Sequence, residues 1–230
     1  MSTRFVVVCD ASKADSREVR RTADSLLASS VRPAHWLVLG SSIEHERITR
    51  MRTMRLSGIS IAREVVPLPG DSIVVFLRTG NALTLSALTE LESAFADPSI
   101  SIVYGDSLHR APRRFEHDAE VRRPGWSPER LRGHNYLGTL IAARLDLVER
   151  AGGVKSLAIA HEHARALRLC ELGNPVRLPH LLYRSESESL LPSVSLSAVE
   201  EHCRRSGIDA ICELDPAVPV VRVKRKATAS

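Results

Sequence analysis

The chain has 230 residues, of which 43% are hydrophobic and 26% charged, so it can bury a core of ordinary size for a globular protein. No apolar run approaches the roughly 18 residues that a membrane-spanning helix needs, so no membrane span is expected. The formal net charge is +5, and only four of the 32 basic residues are lysines; this arginine excess suits an anionic ligand, but a GC-rich coding sequence explains it equally well.

The first hundred residues alternate short apolar runs with amphipathic segments. Runs rich in β-branched residues predict strands, and apolar residues at helical spacing predict helices between them. The predicted strands are 5–9, 36–39, 72–77 and 100–104. The predicted helices are the segment with Val19, Ala23, Leu26 and Leu27, an arginine-rich segment at 44–56, and the stripe Leu85, Leu88, Leu91 and Phe95. This alternation predicts an α/β, Rossmann-like fold, with a doubly wound, mostly parallel sheet and helices on both faces.

The loops that follow the predicted strands are the places to look for a ligand. In a doubly wound sheet, ligands bind in the crevice outside the carboxyl ends of the strands. Those loops are 10–12, 40–42, 78–81 and 105–107.

The second half of the chain is less regular. Residues 108–133 are polar and arginine-rich, and so long a connection predicts a functional loop or flap. The remaining predicted elements are helices at 142–150, 161–172 and 199–205, an extended segment at 178–183, and two strand-like runs after 205. The basic segment 222–226 is expected to be frayed and solvated.

The sequence predicts a cytoplasmic protein without a nucleic-acid partner. The N-terminal apolar stretch is too short for a signal peptide, and the four cysteines form no CxxC pair, so buried free thiols are expected. Only 4% of the residues are aromatic, which leaves few stacking platforms for single strands, and no helix-turn-helix, zinc or RNP-type motif is present in the sequence.

Several segments occur in the order and at the spacing of one known family. They are 58–63 (Gly-Ile-Ser-Ile-Ala-Arg), 73–77, 104–106 (Tyr-Gly-Asp), 124–131 (Pro-Gly-Trp-Ser-Pro-Glu-Arg-Leu), 135–138 (Asn-Tyr-Leu-Gly), 151–153, 178–184 and 198–210. Together they resemble glycosyltransferase family 2, which has the GT-A fold, and above all the bacterial enzymes that build O-antigen and rhamnan-type polysaccharides. The resemblance implies one GT-A-like domain at 1–214, followed by a last strand and basic tail at 215–230. Within it, 1–107 would form the nucleotide-binding half, 108–184 an acceptor-type half, and 185–214 a closing helix-strand unit.

Three acidic motifs of that family are altered here. Leu39-Gly40-Ser41-Ser42 replaces the acidic pair that holds the nucleoside, and 78–81 (Arg-Thr-Gly-Asn) replaces the metal-binding D-x-D. The segment that carries the catalytic base is present as His161-Glu162-His163-Ala164, with one carboxylate. Because Mg²⁺ and Mn²⁺ prefer carboxylate oxygens, no divalent metal and no other cofactor is expected.

These departures leave two functional interpretations. In the first, the chain is a non-catalytic relative that binds or assembles, acting beside a catalytic glycosyltransferase or within a homo-oligomer. In the second, it is a metal-independent transferase that uses a nucleotide-sugar donor. Arg78 would then bind the leaving diphosphate, and Glu162 or a flanking histidine, His161 or His163, would deprotonate the acceptor.

The resemblance also assigns the other candidate residues, each of which has a structural alternative. On the nucleotide side they are Asp10, Arg78, Asn81 and Asp106; on the acceptor side they are Trp126, Asn135 and Tyr136. Asp10 and Asp106 could equally close turns, and Trp126 could anchor a packed loop. Residues 161 and 163 diverge by about 200° on a helix, so these two histidines cannot chelate one ion there.

Overall fold

The computed structural model describes residues 3–40, 42, 59–110, 117–186 and 194–226. Its strands are β1 (Phe5–Asp10), β2 (His35–Leu39), β3 (Ser60–Ala62), β4 (Ile73–Phe76), β5 (Ala82–Leu83), β6 (Ile102–His109), β7 (Ala119–Val121), β8 (Ile141–Arg144), β9 (Val176–Ser185), β10 (Ala210–Leu214) and β11 (Val221–Arg225). Its helices are α1 (Ser16–Ala28), α2 (Ala87–Phe95), α3 (Pro128–Gly133), α4 (Leu145–Arg150), α5 (Val154–Ile159), α6 (Glu162–Cys170) and α7 (Leu196–Arg205). The predicted helix at 44–56, Ser41, Gly58 and most of the serine-rich segment after Ser185 lie outside the described residues.

One large sheet forms the centre of the molecule. Its strand order is β3-β2-β1-β4-β8-β6-β9-β5, with β7 paired to β6. The four strands β3, β2, β1 and β4 run parallel to one another. Strand β8 is antiparallel to both of its neighbours, β4 and β6, and β6 runs parallel to β9. The α/β prediction is confirmed, and the antiparallel β8 is an addition that the sequence pattern did not reveal.

Helices cover both faces of this sheet. Alternate residues of β1 face opposite sides: Phe5 and Val7 pack with α1 and α2, whereas Val6 and Val8 pack with α5, α6 and α7. Both sets are fully buried, which explains why β1 is a continuous apolar run rather than an alternating one. Helix α1 begins at a capping box: the side chain of Asp15 accepts a hydrogen bond from the backbone N–H of Glu18, and the side chain of Glu18 accepts one from the backbone N–H of Asp15.

Two predicted helical segments need correction. The segment 142–150 is not one helix: Ile141–Arg144 is a strand between β4 and β6, and the helix begins only at Leu145. A short apolar run buried on both sides fits either structure, so its pattern could not separate them. Leu85 is not part of the buried stripe; it is 63% exposed and precedes α2.

The basic segment 222–226 is also not frayed. Val221–Arg225 pairs with β10, and Val221 is buried while Arg222 and Lys224 point outward and form ion pairs with Asp215 and Glu213. Likewise, the segment 108–133 is more regular than predicted, since it contains the end of β6, all of β7 and α3. Within the described ranges, no helix combines the length and apolarity needed to cross a bilayer.

Candidate functional site

The first candidate site is a cavity at the carboxyl ends of β1, β2 and β3. Asp10 ends β1, and its Oδ1 accepts a hydrogen bond from the Ser12 N–H at 2.9 Å, which closes the turn. Gly40, which follows β2, has φ +68°, and a Cβ there would lie 2.9 Å from the Ser12 Cβ, so glycine lets the two loops touch. The cavity of about 830 Å³ that these loops border lies within the usual size range of ligand pockets.

This first cavity combines an apolar floor with a few charged groups. Its lining includes the apolar side chains Leu39, Ile61, Val66 and Ile159, the carboxylates Asp10 and Glu64, and the cations Arg63 and Lys155. Apolar walls with a few placed polar groups are typical of sites that bind a small organic ligand. Of the predicted nucleotide-side residues, Asp10 is the one that lines this cavity.

Arg78 and Glu162 form a two-pronged ion pair next to the first cavity. Arg78 follows β4, and Glu162 is the first residue of α6. The Arg78 Nε donates to Glu162 Oε1 at 2.7 Å, and Nη2 donates to Oε2 at 2.6 Å. Partial burial works to lower the pKa of Arg78, but the hydrogen bonds and charge of Glu162 outweigh it and raise that pKa. The sequence predicted both residues but not their contact.

A second arginine, which sequence reasoning missed, lies beneath this pair. Arg165 is only 6% exposed; its Nη1 donates to the carbonyls of Leu157 and Ala158 at 3.2 and 3.4 Å, and its guanidinium lies 5.1 Å from the centroid of the Phe76 ring. Desolvation lowers its pKa, against the attraction of nearby Glu162. The available signal was an arginine on the apolar face of α6, where a buried charge needs an explanation.

The residues at this position do not fit a divalent metal ion. Arg78 and Thr79 stand where the resemblance places metal-binding aspartates, and the nearest carboxylate, Glu162, is held by a guanidinium. Mg²⁺ and similar ions bind to proteins through oxygen ligands that usually include one or two free carboxylates. Across the part of the chain that the structure describes, no cluster of three or more metal-ligating side chains occurs. That the protein works without a metal stays a prediction.

A second, polar cavity of about 520 Å³ lies on the α1 side of Arg78. Four arginines line it (Arg17, Arg21, Arg78 and Arg110), together with the carboxylates of Asp15, Glu18 and Glu186. These carboxylates already have partners, because two form the α1 capping box and Glu186 accepts from Arg110 at 2.8 Å. The two cavities share a wall, since the Thr79 hydroxyl donates to the main-chain carbonyl of Asp10 at 2.6 Å.

The two remaining nucleotide-side candidates, Asn81 and Asp106, are both buried and bonded to protein groups, and Asn81 also lines the second cavity. Asn81 is 2% exposed, and its amide donates to the Thr139 hydroxyl at 2.7 Å. Asp106 is also buried, and its carboxylate accepts from the Arg177 guanidinium, at 2.7 Å in the shortest contact, and from the Arg123 N–H at 2.8 Å. It therefore joins β6 to β9 and to the loop at 123, and lines neither cavity.

The acceptor-side candidates likewise make structural contacts. The Trp126 Nε1 donates to the Asn174 side chain at 3.1 Å, and the Asn135 amide donates to the Gly138 carbonyl at 3.0 Å. The Tyr136 hydroxyl accepts from the Ser127 N–H at 2.7 Å. These contacts fix the start of α3 and the turn at 135–138. None of the three residues lines either of the two cavities, and an acceptor role for them stays a prediction.

The two histidines beside Glu162 differ in their surroundings. His161 caps α6, because its Nδ1 accepts from the His163 N–H at 3.3 Å. His163 is fully buried; its Nε2 donates to the Leu131 carbonyl at 2.6 Å, and its Nδ1 accepts from the Ser195 N–H at 3.2 Å. Burial lowers the pKa of His163 to about 4, so the ring is neutral at pH 7. Both ring nitrogens are thus occupied, which leaves His163 no position for proton transfer to a ligand.

Comparison with known proteins shows which proteins this chain is similar to. No protein-family model matches the sequence. Over 147 residues, 63% of the chain, it is 28% identical to the O-antigen biosynthesis protein RfbC of Myxococcus xanthus, and it spans 11% of that protein. The mannosyltransferase PcManGT from Pyrobaculum calidifontis, solved with GDP-Man and Mn²⁺, matches 80% of the chain with a TM-score of 0.52 at 15% identity. S. aureus TarS 1-349, solved with UDP, matches 88% with a TM-score of 0.57 at 14% identity.

The chain spans 57% of the PcManGT chain and 64% of the TarS chain. At these identities the likeness shows the fold alone, and the predicted resemblance to GT-A glycosyltransferases is confirmed at that level.

Proposed function

We propose that this chain is a glycosyltransferase-like domain of cell-surface polysaccharide biosynthesis that binds a nucleotide-sugar and does not carry out metal-dependent transfer. In this proposal it acts beside a catalytic glycosyltransferase or within a homo-oligomer. The observation that carries the proposal is the Arg78–Glu162 ion pair. It occupies the position at which the resemblance implies the metal ligands and the catalytic base.

The first cavity supports the nucleotide part of the proposal. Its position at the carboxyl ends of β1 and β2 is where doubly wound sheets bind nucleotides. Solved neighbours of the same fold contain GDP-Man or UDP. The nucleoside would lie against the apolar floor, and its diphosphate would extend past Thr79 toward Arg78, whose fork of N–H donors matches phosphate oxygens.

The charges around Arg78 disfavour a metal-dependent reaction. Two guanidinium groups, those of Arg78 and the buried Arg165, lie near the carboxylates of Asp10 and Glu162. A divalent cation would have to displace Arg78 from Glu162 and then remain beside both arginines. Repulsion between like charges in a partly buried site makes that exchange unfavourable.

One observation also favours the second candidate function, a metal-independent transferase. Arg78 and Glu162 are the two groups such an enzyme would need, and the structure places them in contact. The arginine would stabilise the charge that develops on the leaving diphosphate, and the carboxylate would take the proton of the acceptor hydroxyl. This requires the pair to separate when the donor binds.

Calorimetric titration with UDP-, GDP- and dTDP-sugars, with and without Mn²⁺, tests the proposal. We expect at least one donor to bind without metal, and Arg78→Met to weaken its binding about tenfold or more, because a charge-assisted pair of hydrogen bonds is lost. Arg222→Met, on β11, is the matched control and should leave affinity unchanged. Binding that requires Mn²⁺ would contradict the proposal.

Two further measurements separate the candidate functions and test the partner. If the wild type releases nucleoside diphosphate from the bound donor and Glu162→Gln does not, the result would support the transferase. If the wild type binds the donor but releases no nucleoside diphosphate, the result would support the non-catalytic domain.

The proposed partner is tested separately: affinity purification of the chain from its own source should recover a glycosyltransferase or a second copy of this chain. Repeated recovery of neither would count against that part of the proposal.

A further inference from the structure

The Arg78–Glu162 ion pair is accessible to a competing anion. The Arg78 side chain is 45% exposed, and it lines the second cavity, on the α1 side. Glu162 uses both of its carboxylate oxygens on Arg78, through Nε and Nη2. An anion in the second cavity would therefore meet the same guanidinium that now neutralises Glu162.

A phosphate group is the competitor that this geometry suits. The guanidinium presents parallel N–H donors that bind a carboxylate or a phosphate in the same two-pronged way. A diphosphate carries more negative charge than one carboxylate and offers more acceptor oxygens. The second cavity is lined by four arginines and three carboxylates, and one of these, Glu186, already pairs with Arg110 and Arg21. The lining therefore has a net charge of +1 (four minus three), which attracts a diphosphate that reaches Arg78.

We infer that Arg78 exchanges partners, so that a diphosphate group displaces Glu162 from it and leaves the Glu162 carboxylate unpaired toward the bound ligand. This inference rests on the proposed function, since it takes the nucleotide-sugar diphosphate as the displacing group. Glu162 is in this account an internal competitor that lowers the affinity for the diphosphate. Its release would make binding of the donor and exposure of the carboxylate one event.

The exchange makes an unusual prediction, namely that removing a polar contact strengthens binding. Glu162→Gln keeps the size of the side chain but removes the charge that competes for Arg78. We expect Glu162→Gln to bind inorganic pyrophosphate, and the nucleoside diphosphate that the wild type binds, about three- to tenfold more tightly, as measured by calorimetric titration. Arg78→Met should bind both more weakly than the wild type does.

The double variant Arg78→Met/Glu162→Gln tests the cause directly. If Glu162 acts only by occupying Arg78, the second substitution changes nothing once the arginine is gone, so the double variant should match Arg78→Met. A gain that persists without Arg78 would show a general effect of charge and would overturn the exchange. Glu201→Gln is the matched control: it removes the same charge from another two-pronged pair, with Arg204 on α7, and should not alter affinity.

The outcomes also distinguish this inference from the proposed function. Unchanged or weaker binding by Glu162→Gln, with binding that still depends on Arg78, would overturn the exchange and leave the proposed function standing. Failure of the wild type and of Glu162→Gln to bind any of UDP, GDP, dTDP or pyrophosphate would overturn both. Urea denaturation of each variant checks that it is folded, and Glu162→Ala provides a second substitution with the same expected direction.

Discussion

Gly138 offers the most stringent test of how the turn at 135–138 is built. The family resemblance assigns this turn to an acceptor site through Asn135 and Tyr136, which stays a prediction, and in the structure these side chains bond to Gly138 and Ser127. Gly138 has φ +94°, and a Cβ at this position would lie 2.5 Å from the Tyr183 hydroxyl. We therefore predict that Gly138→Ala destabilises the protein through both backbone strain and a clash.

The magnitude follows from these two contributions. A non-glycine residue with such a φ costs roughly 1 to 2 kcal/mol. Tyr183 is fully buried, so its hydroxyl must move away from the new methyl group, which weakens its hydrogen bonds from the Thr139 N–H (3.1 Å) and the Arg123 Nη2 (3.2 Å). At about 1 kcal/mol for each bond, the total is about 3 to 4 kcal/mol. In a chain of this size, that lowers the melting temperature by roughly 10 °C.

Urea denaturation followed by tryptophan fluorescence measures this loss. Gly70→Ala is the control, because a Cβ there would meet no atom within 4 Å, and its effect should stay within about 0.5 kcal/mol. Tyr183→Phe removes the clashing hydroxyl, so Gly138→Ala should cost only the strain, about 1 to 2 kcal/mol, in that background. A loss below about 1 kcal/mol in the wild-type background, or full additivity of the two substitutions, would refute the reasoning.

Three further predictions concern buried polar groups. Burial lowers the pKa of His163 to about 4, whereas an unfolded histidine titrates near 6.5. The free energy of unfolding should therefore be highest above pH 6.5 and should fall by up to about 3 kcal/mol as the pH decreases toward 4. Equal urea midpoints at pH 7.5 and 4.5 would contradict this. Asp106→Asn should lower the free energy of unfolding by about 2 to 3 kcal/mol, because it weakens the ion pair with Arg177, and it should leave nucleotide affinity unchanged. Loss of nucleotide affinity at unchanged stability would instead indicate that Asp106 binds the ligand. Burial raises the pKa of Cys9 to about 12 and that of Cys212 to about 11, so thiol reagents at pH 8 should label the folded protein slowly and the urea-unfolded protein fast; rapid labelling of all four cysteines in the folded state would exclude this.

The fold could be predicted where the sequence pattern was unambiguous. The β-branched residues of β1 indicated a strand, and the stripe of Val19, Ala23 and Leu26 on α1 fits the helical period; the structure confirms both. Residues 141–144 could not be assigned in this way, because Ile-Ala-Ala-Arg is too short to show a period and contains no excess of β-branched residues. Its neighbours β4 and β6 lie about 65 and 40 residues before it along the chain, so only tertiary pairing identifies it as a strand.

Strand β11 is an error of the opposite kind, because a segment predicted to be frayed is a paired strand. Its alternation of Val221 and Val223 with basic residues is a strand pattern, whereas its density of charge favours a solvated tail. In the structure the charges point outward to acidic partners across the hairpin, as with Lys224 and Glu213. Charge on one face is thus compatible with a strand whose other face is buried.

The candidate site could be predicted residue by residue but not as an arrangement. Strand ends and the resemblance pointed to Arg78 and Glu162 separately, while the contact between them joins positions 84 residues apart. No spacing rule predicts such a contact. The same limit applies to Asp106 and Asn81, whose contacts with Arg177 and Thr139 appear only in the tertiary structure. A ligand-binding role for either residue stays a prediction.

The charges around the Arg78–Glu162 pair determine how strongly this part of the site attracts an anion. Arg78 and Arg165 contribute two positive charges beside the carboxylates of Asp10 and Glu162, so this part of the site is close to neutral while the ion pair is closed. A neutral site attracts a diphosphate weakly. Separation of Glu162 from Arg78 frees this guanidinium, and the lining of the second cavity, with four arginines and three carboxylates, then has a net positive charge. Affinity for an anion and the opening of the ion pair are therefore coupled by electrostatics, whether or not a reaction follows.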